Sequence, residues 1–180
     1  SNAHTIGTTT AHTYFAEALA DAAIIKMNYS GSPPPTTTLN YFVYENSVTH
    51  AVSRVAPLAE QIVGAPVCMS GWGTRNGPPA TIGRRCGTIT ADDERRKSCE
   101  DTAKTKCLWI QHQYEMSFDT TGGDSGGPVS TGLTTANGLL TDSVLDGATP
   151  ARSWYSPLVW AIPAIDARPN ELRGRVCLKA

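Results

Sequence analysis

Gly122-Gly123-Asp124-Ser125-Gly126-Gly127-Pro128 is the stretch that decides how this chain of 180 residues is read. A serine hydroxyl is a poor nucleophile unless a neighbouring group positions it and takes its proton. Attack on a carbonyl also needs donors aimed at the oxyanion that develops. The glycines meet the second requirement. Without Cβ atoms, Gly122 and Gly123 let the backbone turn sharply, so that the amides of Gly123 and Ser125 point into one small cavity. Asp124 is then turned inward, where a buried carboxylate needs a cation or several donors. A glycine-rich turn that merely contains a serine is the plain alternative, and seven consecutive residues of this kind weigh against it.

A sharper rival is the nucleophile elbow of α/β-hydrolases, because Gly123-Asp124-Ser125-Gly126-Gly127 also fits Gly-x-Ser-x-Gly. That elbow leads into a helix and takes its histidine from downstream. Here Gly126-Gly127-Pro128-Val129 follows, which opens a strand, and His4, His12, His50 and His112 all lie upstream. The elbow fails on both counts.

Working outward, hydrophobic residues make up 40% of the chain and charged residues 17%, a globular composition rather than a disordered one. This length suits one domain, or two small lobes sharing an interface. A net charge of -1 argues against an electrostatic nucleic-acid binder. No apolar run approaches the roughly 18 residues that cross a bilayer as a helix, so no membrane partner is expected. No basic segment followed by an apolar one opens the chain, so any signal peptide is expected to have been removed. Ser1-Asn2-Ala3 reads as an expression-tag remnant and is left out of the fold reasoning.

Five cysteines, 16 glycines and 12 prolines suit an extracellular β-protein stapled by disulfides. No Cys-x-x-Cys pair occurs, and Cys99 and Cys107 lie too far apart for a zinc knuckle, so no metal is expected. Five is odd, so one thiol is free or has a partner outside this chain.

Runs rich in Thr, Val, Ile and aromatics recur at Thr5 to Phe15, Ala22 to Met27, Tyr41 to Tyr44, Ala65 to Met69, Cys86 to Thr90, Leu108 to His112 and Pro128 to Ser130. Turn clusters at 30–35, 75–79 and 146–150 separate them. Many short strands at this spacing read as an antiparallel barrel or sandwich. Two segments are helix candidates. Ala91 to Lys106 is polar and charged, most simply a solvated excursion closed by Cys99 and Cys107. Pro157 to Leu172 reads as a terminal helix limited by Pro163 and Pro169.

These residues resemble the chymotrypsin-fold serine endopeptidases, specifically the bacterial branch of α-lytic protease and the streptogrisins. Gly64-Ala65-Pro66-Val67-Cys68-Met69-Ser70-Gly71, followed by Cys86-Gly87-Thr88-Ile89-Thr90, looks like the disulfide-bridged hairpin opening that family's second barrel, which implies a Cys68–Cys86 bridge. Asn137 to Thr141 is similar to the substrate-lining strand after the serine, and Tyr155-Ser156-Pro157 resembles the closing strand. Ile6-Gly7-Thr8 through Asp21-Ala22-Ala23-Ile24-Ile25 resembles the segment carrying the catalytic aspartate, which makes Asp21 the residue that orients the base.

The resemblance covers nearly the whole chain, with insertions around 28–40 and 91–106. It implies an all-β, chymotrypsin-like double antiparallel β-barrel. Residues 1–60 would form the remainder of an incomplete first barrel carrying Asp21. Residues 61–180 would form the second barrel, with Ser125 and a short C-terminal helix. A second bridge is expected between Cys99 and Cys107, leaving Cys177 as the odd thiol.

The family's catalytic histidine sits in a Thr-Ala-(Ala/Gly)-His-Cys segment before the aspartate. His12, in Thr10-Ala11-His12-Thr13, lies only nine residues before Asp21, too close for the strands that separate the two. His4 is no better placed, and His50 and His112 follow Asp21 and read as ordinary surface or strand residues. The expectation is a sequence that begins partway through the first barrel, after the histidine.

Asp119, six residues before Ser125, falls at the base of the primary pocket in this family, where an aspartate binds Lys or Arg by charge pairing. The bacterial relatives carry a disulfide cysteine there, so Asp119 is either a trypsin-like determinant or a polar replacement on a loop without its bridge. The resemblance makes Thr141 and Ser143 the expected substrate-binding residues of the opposite strand. Asp142 and Ser143 stand where relatives have small glycines, which alters the pocket wall. The usual bacterial partner of Asp124 is an arginine just after the first hairpin cysteine, and Met69 stands there instead. Two hypotheses follow. One is a secreted serine endopeptidase acting on polypeptides without a cofactor, with Gly123 and Ser125 amides as the oxyanion hole. The other is a catalytically inactive pseudoprotease serving as a binding module.

Overall fold

Val67 and Met69 are fully buried while Pro66 and Cys68 between them are not, the period-two pattern of a strand with one face in a core. A barrel grows from that strand. The computed structural model describes residues 7–12, 23–27, 42–45, 48–71, 84–99, 105, 107–120, 123–143 and 152–166. Asp21, Gly122 and Cys177 lie outside the described residues.

Six strands close the barrel: β6 (Pro66–Ser70), β7 (Arg84–Cys99), β8 (Cys107–Met116), β9 (Pro128–Thr131), β10 (Thr135–Ser143) and β11 (Ser153–Pro157). Hydrogen bonding runs in the order β11-β8-β7-β6-β9-β10, and β10 pairs back onto β11. Every pairing in this ring is antiparallel. Closure leaves the ring no free edge strand. Val67, Met69, Ile89, Tyr114, Met116, Phe118, Val129, Leu140 and Tyr155 fill its interior.

Ahead of the ring stand two hairpin pairs, β1 (Gly7–His12) with β2 (Ala23–Met27) and β3 (Phe42–Glu45) with β4 (Val48–Ala51). The short β5 (Arg54–Val55) then runs parallel to the start of β10. A 3-10 turn at Leu58–Glu60 follows it.

Two expectations are sharpened here. Residues 91–99 are not helical: β7 continues unbroken from Arg84 to Cys99, pairing with β6 up to Thr88 and with β8 from Ile89 to Cys99. Register shifts between Ile89 and Arg96 twist this hairpin; Arg95 and Lys97 face solvent, while Glu94, Arg96 and Ser98 on the other face are half-buried. A helix-like charge pattern is therefore carried by a long ribbon. The terminal helix, α1 (Leu158–Asp166), is shorter than the 157–172 span and contains Pro163, whose missing N–H removes one helical bond.

Tyr155 of β11 is fully buried, and its hydroxyl donates to Gln61 Oε1 at 2.9 Å. Gln61 Nε2 in turn donates to Ala56 O at 2.9 Å, tying the segment after β5 to the barrel. Burial, followed by the neighbouring Tyr114, pushes the Tyr155 phenol well above the ordinary tyrosine value. A group that holds its proton more tightly when folded contributes stability that is intact below its unfolded pKa, about 10, and that declines as pH rises further. Chemical denaturation between neutral pH and pH 11 should therefore show stability falling from about pH 10 upward. Tyr155→Phe should flatten that fall, at a cost of about 1 kcal/mol at neutral pH for the lost hydrogen bond.

Candidate active site

The Ser125 segment connects to β9 and is shaped by one four-residue turn. Gly127 N–H donates to Asp124 O at 2.8 Å, so Ser125 and Gly126 are the two corner residues. Gly126 has φ +78°, which L side chains adopt only under strain and glycine adopts freely. Gly126 N–H also donates to Leu140 O, and Leu140 N–H to Gly127 O, each at 2.9 Å. The turn is thus bolted to β10, and Ser125 is left exposed at its corner. Gly127 is needed for space instead: a Cβ there would lie 2.6 Å from Ser70 O and 2.7 Å from Asp124 O.

Asp124 is 1% exposed. Its carboxylate lies against the residue that follows β6, since a Cβ on Gly71 would fall 2.1 Å from Asp124 Oδ1. Gly123 is exposed with φ +98°. Met69, at the position where an arginine was sought for Asp124, is part of the barrel core.

Across the ladder from Met69 stands Arg85. Its guanidinium Nη1 is ion-paired to Asp119 Oδ1 and also donates to Asp119 O at 3.2 Å. The Asp119 loop is itself pinned. Ser117 N–H donates to Thr88 O at 3.0 Å, Thr88 N–H to Ser117 Oγ at 2.9 Å, and Ser153 Oγ to Phe118 O at 2.7 Å.

On β10, Thr141 Oγ1 lies 2.7 Å from Gln113 Oε1 and 3.2 Å from Trp154 O. Gln113 Nε2 continues this chain to Ser156 Oγ at 2.8 Å. Asp142, which stands where a glycine is usual, is tied to the β7–β8 ribbon: its Oδ2 is 3.3 Å from Arg96 Nη2. The Arg96 guanidinium lies 3.2 Å above the Trp154 ring centre. Asp142 Oδ1 accepts from Ser143 N–H at 2.8 Å. A cleft of about 400 Å³ on this ribbon is lined mainly by charged side chains, with Arg152 Nη1 3.2 Å from Glu115 Oε2 and Trp154 Nε1–H donating to Glu94 Oε2 at 3.2 Å.

Cys68 and Cys86 face each other in the β6–β7 register and are bridged, as are Cys99 and Cys107 in the β7–β8 register. Of the histidines, His112 is engaged on the ribbon. Its Nδ1 is bonded to Asp93 Oδ1, and its ring stacks on Trp160 of α1 with centroids 4.1 Å apart. His112 and Asp93 both have positive φ, 52° and 54°, within a stretch of shifted register. His50 is half-buried on β4, and His12 lies on β1.

Arg85, Arg96 and the His112–Asp93 pair escaped the sequence reading, which followed the family's positions. The one local signal was the arginine immediately before Cys86.

Residues 4–157 match the family model described as Trypsin. No curated protein sequence matches the chain. Among solved structures, the chain is similar to a glutamic-acid-specific serine protease, with TM-score 0.60 and 21% identity over 88% of this chain and 71% of that one. It is similar to the chymotrypsin of Cellulomonas bogoriensis, at 0.60 and 22% over 89% and 72%. Protease A of Thermobifida fusca gives 0.60 and 22% over 89% and 76%. At these identities the likeness is one of fold.

Proposed function

This chain belongs to the trypsin family, and from that premise we propose that it is a secreted serine endopeptidase with Ser125 as its nucleophile. The observation that carries the reading is the Asp124–Gly127 turn, which holds Ser125 exposed at a corner bolted to β10. Ser125 Oγ attacks the peptide carbonyl, and the amides of Gly123 and Ser125 hold the oxyanion. A histidine base takes the serine proton and returns it to the leaving amine, with Asp21 orienting that base. Water then hydrolyses the acyl-enzyme on Ser125. No cofactor takes part.

Residues 1–60 contribute the aspartate-bearing unit and 61–180 the nucleophile-bearing barrel, with Thr141 and Ser143 on the strand that faces substrate. The Cys68–Cys86 and Cys99–Cys107 bridges support an oxidising, extracellular compartment. A fluorophosphonate probe applied to the full-length natural protein tests the reading. One adduct, mapped to Ser125 by peptide mass, is the expected result. Absence of any adduct on Ser125 would sink it and leave a protease fold retained for binding.

A further inference from the structure

Asp119 already holds a guanidinium. Arg85 reaches it from the start of β7, one residue before the Cys86 bridge that ties this strand to β6. The same Nη1 group contacts both a carboxylate oxygen and the main-chain oxygen of Asp119, so one charged donor meets two acceptors of one residue. Both side chains are sheltered, at 22% and 28% exposure, so the pair is less screened than a surface ion pair. Bonds from Ser117 and Phe118 to β7 and β11 hold the loop, so Asp119 cannot readily swing to another partner.

We propose that Arg85 is a specificity-determining residue that closes the primary pocket to basic side chains, leaving non-basic residues as the class accepted at the cleaved position. The proposal rests on the reading of Asp119 as the floor of that pocket. An incoming lysine or arginine must displace a guanidinium that is covalently part of the same chain, and an intramolecular partner competes at a very high effective concentration. The exchange also replaces like with like, so the newcomer gains no net contact with Asp119 while Arg85 loses its partner in a sheltered place. An aspartate that would otherwise select for positive charge is thereby silenced.

Benzamidine, an isolated aryl cation, reads this pocket without any turnover. Isothermal titration should show Arg85→Ala binding benzamidine at least ~10-fold tighter than the wild type, the ratio expected from one recovered charge-assisted hydrogen bond. Arg85→Ala combined with Asp119→Ala should return to the wild-type value. Arg85→Gln keeps the stem of the side chain and removes its charge. It makes the same measurement if the alanine variant does not fold, as judged by circular dichroism. Wild type binding as tightly as the variants overturns the proposal, and so does the absence of any gain in both variants. Failure of the endopeptidase reading shows separately, as a missing Ser125 adduct with the benzamidine ratio unchanged.

Discussion

In the full-length natural protein, Ser125→Ala is expected to abolish fluorophosphonate labelling and to lower peptide turnover by ~10⁶-fold, the scale seen when a nucleophile of this kind is removed. Folding should be untouched. Ser125 is exposed, has a negative φ and sits at a turn corner that alanine also accepts. Surface replacements of that type stay within about 0.5 kcal/mol. Thermal unfolding and turnover, measured on the same preparation, should therefore separate completely. A variant that kept substantial turnover would remove Ser125 from the chemistry.

Gly127→Ala is expected to do the opposite and damage both together. The added methyl would sit 2.6 Å from Ser70 O and 2.7 Å from Asp124 O, with Met69 Sδ at 3.4 Å. The two nearest atoms are backbone, one belonging to β6 and the other to the turn itself, so neither moves cheaply. Overpacking of this kind costs about 3 kcal/mol, a large share of a domain's stability. Whatever shift relieves the clash also displaces the Asp124–Gly127 hydrogen bond that shapes the Ser125 turn. Denaturation midpoint and Ser125 labelling should fall in parallel. An unchanged midpoint would show that the turn is more plastic than its contacts imply.

The contrast between these two residues, two positions apart, shows why the motif was so readable. Gly123 and Gly126 answer a local demand, the left-handed φ of +98° and +78°, whereas Gly127 is also required by Ser70 O of the distant β6. Local demands leave their mark in consecutive residues. The strand runs were legible for the same reason, since alternation along β6 records which face is buried. Residues 91–99 were harder to read. A ribbon that is polar on both faces has no apolar stripe, and its charges suit a helix surface as well as a strand. Only the pairing with β8, an element further along the chain, decides that it is extended.

The Ser125 turn, the all-β class and the antiparallel pattern were thus determined by the sequence alone, because each depends on backbone preference or periodicity within a few residues. Which distant side chains meet one another was decided by the tertiary structure. Arg85 and Asp119 are 34 positions apart, and Tyr155 and Gln61 are 94 apart. No spacing rule links such pairs. The closed strand pairing brings them together, and the Arg85–Asp119 ion pair follows from that pairing rather than from any motif.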